Sequence, residues 1–146
     1  MWDWIVSSPL AIGTPAPDFQ LQDERGNTVR LADLRGRFVV LVWYPADETT
    51  VCTRQLCEIR DDWAAFQNRG VAVFGVNGQG RDSHEKFVRK YQFPFPLLLD
   101  PGQKVGKQFH THGLIVKRTV YVIGPDGVIR YGKRGKPPVS EILEHL

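Results

Sequence analysis

Cysteine is scarce in this chain, with 2 among 146 residues. That number excludes a small secreted scaffold stapled by several disulfides. No apolar run is long enough to cross a membrane as a helix, so no stable membrane association is expected. The start, Met1-Trp2-Asp3-Trp4-Ile5-Val6, has neither a basic stretch nor a long apolar core, and is not read as a signal peptide. A cytoplasmic protein is predicted, and a reducing cytosol argues against Cys52 and Cys57 as a permanent staple. Charge of one sign is also lacking: the formal net charge is +3. The short basic cluster Lys133, Arg134 and Lys136 has no aromatic residues interleaved with it, so no nucleic-acid partner is predicted. His110 and His112 lack an evident third ligand, which argues against a metal site. Gly75-Val-Asn-Gly78-Gln-Gly80 does not have the spacing of a dinucleotide-binding loop. Internal repeats and low-complexity runs are missing as well.

What is there suits one globular domain. Hydrophobic residues make up 42% and charged residues 24%, ordinary values for a soluble fold, and the length permits a substantial core. Residues 1–15 read as an extension ending at Gly13-Thr14-Pro15, and residues 16–146 as a single domain. Trp2 and Trp4 are expected to pack back on that domain. Phe19-Gln20-Leu21 and Thr28-Val29-Arg30-Leu31 flank a turn-rich loop and read as a hairpin. Leu31 to Leu34 forms one helical turn. Phe38 to Tyr44 is continuously apolar, as a central strand buried on both faces should be. A helix follows from Cys52 to about Asn68, stopped before Gly70. Val71 to Val76 is a second buried strand. Asp82 to Tyr91 is a helix with Asp82 or Ser83 as its cap. Leu97 to Leu99 is a short strand and Val105 to Phe109 a short helix. Thr119 to Ile123 and Val128 to Tyr131 make a second hairpin across Pro125-Asp126-Gly127, and Glu141 to Leu146 a terminal helix. This order predicts an α/β sheet sandwiched by helices.

Both cysteines fall in one stretch, Trp43 to Cys57, where the strand pattern gives way to the helix pattern. Leu56, Ile59, Trp63 and Phe66 define an apolar face, and Cys52 lies on it one turn earlier. Cys57 lies about 140° round the wheel from Cys52 at roughly 100° per residue. Cys52 is therefore placed near a helix N-terminus, where free N–H groups favour an anion and a thiolate becomes accessible. Taken alone, Cys52 reads more readily as a small buried residue completing the stripe.

Pro45-x-x-x-Thr49-x-x-Cys52 reverses that preference. It resembles the active-site loop of the peroxiredoxins, and the four-residue gap between Cys52 and Cys57 is similar to that of their Q-type (bacterioferritin-comigratory) subfamily. Ala16-Pro17-Asp18-Phe19, Ser83-His84-x-x-Phe87, Pro94-Phe95-Pro96-Leu97 and Arg118-x-Val120-Tyr121-Val122 resemble further family segments in the right order. Many relatives have Pro-Gly before the first cysteine where this chain has Thr50-Val51.

The resemblance implies a thioredoxin-like fold, with a central mixed sheet flanked by helices and an N-terminal hairpin. It implies a thiol peroxidase acting on hydrogen peroxide and organic hydroperoxides, with no metal, flavin or haem cofactor. Cys52 would be the peroxidatic nucleophile. Cys57 would be the resolving thiol, closing a Cys52–Cys57 disulfide that thioredoxin or a similar dithiol reduces. Arg118 would stabilise the thiolate and the departing oxygen anion. Thr49 would hydrogen-bond thiolate and peroxide, or cap the helix, or do both. Pro45 would shield Cys52 and, with Thr49 and Arg118, bind the substrate. A monomer is expected. The net effect of Asp47 and Glu48 on the thiol depends on geometry, and His84 reads as structural. Two rival readings are a disulfide oxidoreductase, against which stands the lack of Cys-x-x-Cys, and a redox-sensing module without turnover.

Overall fold

The structure is a computed structural model that describes residues 8–146. The expected packing of Trp2 and Trp4 lies outside the described residues.

Seven strands form one mixed sheet, in the order β2-β1-β5-β4-β3-β6-β7. They are β1 (Gln20–Asp23), β2 (Thr28–Arg30), β3 (Val39–Trp43), β4 (Ala72–Asn77), β5 (Leu97–Leu99), β6 (Thr119–Ile123) and β7 (Ile129–Arg134). The helices are α1 (Thr50–Asp61), α2 (Trp63–Gln67), α3 (Arg81–Tyr91), α4 (Lys104–Gln108) and α5 (Val139–Leu143). Short 3-10 turns cover Leu31–Leu34 and Pro101–Gln103. This is the thioredoxin-like α/β architecture, with the expected hairpin of β1 and β2 at one edge.

Strand β3 sits at the centre. It runs parallel to β4 and antiparallel to β6, and all five of its residues are buried. Side chains alternate across a strand, so β3 feeds two cores. Val40 and Val42, followed by Tyr44 just past the strand, pack with Cys52, Leu56, Ile59, Phe66 and Phe87. Val39, Leu41 and Trp43 pack on the other face with Phe109, Tyr121 and Ile123. The continuous apolar run thus has a direct cause: both faces of the strand are covered. Gly75 of β4 lets this packing close, because a Cβ there would lie 2.6 Å from Leu97 Cδ2 and 3.1 Å from Tyr44 Cε1.

Several helix boundaries differ from the sequence reading: the terminal helix is Val139–Leu143 where Glu141 to Leu146 was expected, the short helix is Lys104–Gln108 where Val105 to Phe109 was expected, and the helix of the two cysteines starts at Thr50, before Cys52. The single helix expected from Cys52 to Asn68 is two, because the chain turns at Asp62 (φ −103°, ψ 21°). The apolar period carries through the turn since both pieces cover the same core, where Trp63 stacks on Phe66 and reaches Phe95. The N-cap of α3 is Gly80, not Asp82 or Ser83, and no side chain caps that helix. Ser83 lies inside the first turn and spends its hydroxyl elsewhere, as described below. Strand β7 also runs on to Arg134, past the expected Tyr131.

The described part of the extension lies along β7. Gly13 N–H donates to the Ile129 carbonyl (2.8 Å), Ile129 N–H donates to the Thr14 carbonyl (2.9 Å), and Leu10 N–H donates to the Tyr121 hydroxyl (2.9 Å). No helix among the described residues is long and apolar enough to cross a membrane.

Candidate active site

The loop after β3 lies at the carboxyl end of two adjacent parallel strands, a usual place for a site in an open α/β sheet. Tyr44 ends the buried run, residues 45–49 cross the sheet edge, and α1 begins at Thr50 with Thr49 as its N-cap residue. Cys52 is therefore the third helical residue, within the turn whose N–H groups have no intrahelical partner. Its side chain is 1% exposed and belongs to the core face with Gln55, Leu56 and Ile59. Thr50 and Val51 take ordinary helical positions, so the departure from Pro-Gly leaves the start of the helix intact.

Arg118, half-buried just before β6, reaches Cys52 from the neighbouring strand. Its Nη2 donates to Cys52 Sγ at 3.1 Å, and its Nη1 donates to Gln55 Oε1 at 2.7 Å. One guanidinium thus holds two residues a helical turn apart, using the planar fork that lysine lacks. The sequence reading passes over Gln55. Its signal is the three-residue step from Cys52, which puts a 3% exposed amide on an otherwise apolar stripe. The Gln55 Nε2 is itself buried without a hydrogen-bond partner among the described residues. Truncating Gln55 would leave Arg118 Nη1 unmatched and its fork free to turn. Gln55→Ala is expected to slow peroxide reaction on the order of tenfold, the scale of one lost hydrogen bond to a charged group. Stopped-flow rates at several peroxide concentrations measure this; an unchanged rate would make Gln55 a bystander.

Thr49 takes the N-cap position, but its hydroxyl donates to the Ala46 carbonyl (2.8 Å) and no side chain caps α1. No hydrogen bond joins it to Cys52 here; it ties the loop and keeps its oxygen lone pairs free. Pro45 and Thr49 line a groove of about 590 Å³ that also touches Gln79, Ile115 and Val116. Neither Cys52 nor Arg118 lines that groove.

Cys57 is half-buried and free, as is Cys52. Burial pushes its thiol up, Arg60 offsets part of that, and Asp61 adds to it. Both cysteines stand in the unbroken helix α1. Five helical rises and a 140° rotation separate their Cα atoms by roughly 8.5–9 Å, beyond the about 4.4–6.8 Å that a disulfide tolerates.

The carboxylates left open by the sequence now have partners. Asp47 is buried and accepts from four donors: the Tyr44 hydroxyl and Asn77 Nδ2 (3.2 Å) on Oδ1, the Ser83 hydroxyl (2.7 Å) and His84 Nδ1 (2.6 Å) on Oδ2. Burial on its own pushes this carboxyl up. The hydrogen bond and charge of His84, then the Tyr44 and Ser83 hydroxyls, outweigh it and hold the carboxyl below its ordinary range. Burial and the Asp47 charge push the Tyr44 phenol well up, so it stays a donor. Glu48 turns outward to Lys90 (3.3 Å). Neither carboxylate therefore faces the thiol unpaired. Glu48 itself has φ 59°, a left-handed backbone that costs a non-glycine residue about 1–3 kcal/mol.

Residues 12–132 match the AhpC/TSA family. The chain belongs to that family, and within it to the peroxiredoxins of the Q type. It is 39% identical to the chloroplastic peroxiredoxin Q of Sedum lineare, over 97% of this chain and 80% of that protein. It is 40% identical to the chloroplastic peroxiredoxin Q of Oryza sativa subsp. japonica over 87% of this chain, but spans only 60% of that relative's length. Among solved structures it resembles the peroxidoxin BcpB of Mycobacterium tuberculosis, with a TM-score of 0.87 and 29% identity over 93% of this chain and 96% of that one. A mutant of Xylella fastidiosa PrxQ superposes as well, at 0.87 with 25% identity over 94% and 95% of the two chains.

His110 and His112, the other motif weighed from sequence, line a separate groove with Lys107 and Lys117. His110 Nδ1 is paired with the Ser8 carbonyl (3.1 Å), and no group of three or more His, Cys, Asp or Glu among the described residues is placed to hold a metal ion.

Proposed function

We propose that the protein is a thiol-dependent peroxidase reducing hydrogen peroxide and organic hydroperoxides, with Cys52 as the nucleophile. The observation that carries this reading is the Arg118 fork, which sets a permanent cation on Cys52 Sγ at the start of a helix. The cation and the free helical N–H groups lie where the sulfur's negative charge has to be held during attack. The thiolate attacks one peroxide oxygen, an S–O bond forms and the O–O bond breaks. The leaving alkoxide or hydroxide develops its charge near Arg118 and takes a proton, releasing alcohol or water. Cys52 is left as a sulfenic acid. Cys57 loses its proton and attacks that sulfur as a thiolate; an S–S bond forms, the S–O bond breaks, and the hydroxide leaves with that proton as water. Thioredoxin or a similar dithiol reduces the disulfide by exchange and is itself oxidised. A monomer working in the reducing cytoplasm completes the reading, since both thiols come from one chain.

The direct test is peroxide consumption in the presence of thioredoxin, its reductase and NADPH. Steady turnover with one NADPH oxidised per peroxide is expected. Consumption of a single equivalent followed by arrest would support a sensor without turnover. Disulfide exchange with no peroxide consumption would support an oxidoreductase.

The helix imposes a further requirement. Because Cys52 and Cys57 cannot bond across five helical residues, the first turns of α1 must unwind before the disulfide closes. Water then reaches Cys57, and the burial that pushes its thiol up is relieved. The disulfide form is expected to exchange amide hydrogens faster over residues 52–60 than the dithiol form, while β3 stays protected. Equal protection of 52–60 in both forms, with the disulfide confirmed by mass, would rule out this opening.

A further inference from the structure

Glu48 holds a left-handed backbone, and the residue before it is the most densely bonded in the loop. Asp47 collects four donors from three places: Tyr44 at the end of β3, Asn77 at the end of β4, and Ser83 and His84 in α3, while its own N–H donates to the Gln79 side chain. His84 extends the chain of bonds to a fourth, since its Nε2 lies 2.9 Å from the Leu98 carbonyl in β5. A carbonyl only accepts, so Nε2 carries a proton. A second proton must lie between Nδ1 and the Asp47 carboxylate, because two lone pairs would not approach to 2.6 Å. The pair is then neutral as a whole wherever that proton sits. Its two side chains are 0% and 1% exposed. Nothing in the peroxide chemistry above uses either residue.

We propose that Asp47 and His84 are positioning residues that clamp the active-site loop in its peroxide-reactive shape. The inference rests on the peroxidase reading. The clamp fixes residue 47 against β4, β5 and α3, none of which must move when α1 opens. It forces Glu48 into its left-handed turn, and that turn aims Thr49 at the N-cap and sets Pro45 and Thr49 in the wall of the groove. Buried polar networks hold geometry well only when every member is satisfied, and here each of the four lone-pair positions of the carboxylate meets a donor. Loosening the clamp should leave Cys52 and Arg118 present but the substrate wall misplaced.

The test compares two reactions of the same thiol. Peroxide attack needs the substrate placed among Pro45, Thr49 and Arg118, whereas alkylation by iodoacetamide needs only an accessible thiolate. Misplacement by about 1 Å can cost on the order of a hundredfold in such a reaction. For Asp47→Asn and the milder Ser83→Ala we expect the peroxide rate constant to fall, by up to about a hundredfold for Asp47→Asn, while alkylation of Cys52 holds or quickens. A second change gives a directional check. Glycine takes a positive φ without penalty, so adding Glu48→Gly to Asp47→Asn should recover part of the lost peroxide rate. Should the two rates fall together, or Glu48→Gly recover nothing, the clamp is only a stabilising network and the proposal is wrong. An unchanged peroxide rate in both Asp47→Asn and Ser83→Ala overturns it as well. If the unmodified protein consumes no peroxide, it is the peroxidase reading that fails, and the comparison with variants is not reached. Should Asp47→Asn not fold, Ser83→Ala alone and with Glu48→Gly carries the same comparison.

Discussion

Cys52→Ser is expected to abolish peroxide turnover, and Cys57→Ser to abolish it in a different way. Only Cys52 has a cation on its sulfur and lies in the first helical turn. A serine hydroxyl there stays protonated at neutral pH and cannot act as the nucleophile. Cys57→Ser retains Cys52, Arg118 and Gln55, so the first step survives. It should consume about one equivalent of peroxide and stop, because the sulfenic acid has no internal partner. With excess peroxide it should gain further oxygen, to sulfinic and then sulfonic acid. Intact mass after one and after ten equivalents separates these outcomes. A Cys52→Ser protein that still turns over would move the chemistry to Cys57 or off the thiols altogether. A Cys57→Ser protein with unimpaired turnover would mean that an external thiol resolves Cys52, leaving the peroxidase reading intact but not the intramolecular disulfide.

The sheet was legible because its central strands are buried on both faces. Val39 to Trp43 and Ala72 to Asn77 have no polar face to confuse the reading. The helix after Cys52 was legible as an apolar stripe, but its turn at Asp62 was not. The stripe reports which face is covered, and both α1 and α2 cover the same core. The position of Cys52 and its distance from Cys57 followed from helical geometry alone. Arg118 came from resemblance, since 66 residues separate it from Cys52 and no local pattern joins them. Gln55 could have been found, as the polar member of a buried stripe one turn beyond the thiol. The partners of Asp47 could not. Ser83 and His84 lie on another helix 36 and 37 residues away, and their spacing to Asp47 has no period. Only the fold brings them under the loop, which is why two acidic residues beside a reactive thiol looked like an electrostatic conflict in the sequence and are paired in the structure.

Arg118→Ala is expected to slow peroxide reaction by about 10²–10³, the cost of removing one donor aimed at a developing oxygen anion. Two losses combine in this figure. The attacking sulfur loses the cation held 3.1 Å from it, and the leaving oxygen loses the donor that meets its developing charge. Arg118→Lys should restore only part of the rate. An ammonium can approach Cys52 or Gln55, but it cannot span both as the guanidinium does at 3.1 and 2.7 Å. Single-turnover rates for peroxide with wild type and both variants check this order, wild type fastest and Arg118→Ala slowest. A rate for Arg118→Lys equal to that of the wild type would mean that charge alone suffices and the fork is dispensable. If Arg118→Ala also kept the wild-type rate, the guanidinium would be structural, and the stabilisation of the leaving oxygen would have to come from the N–H groups at the start of α1.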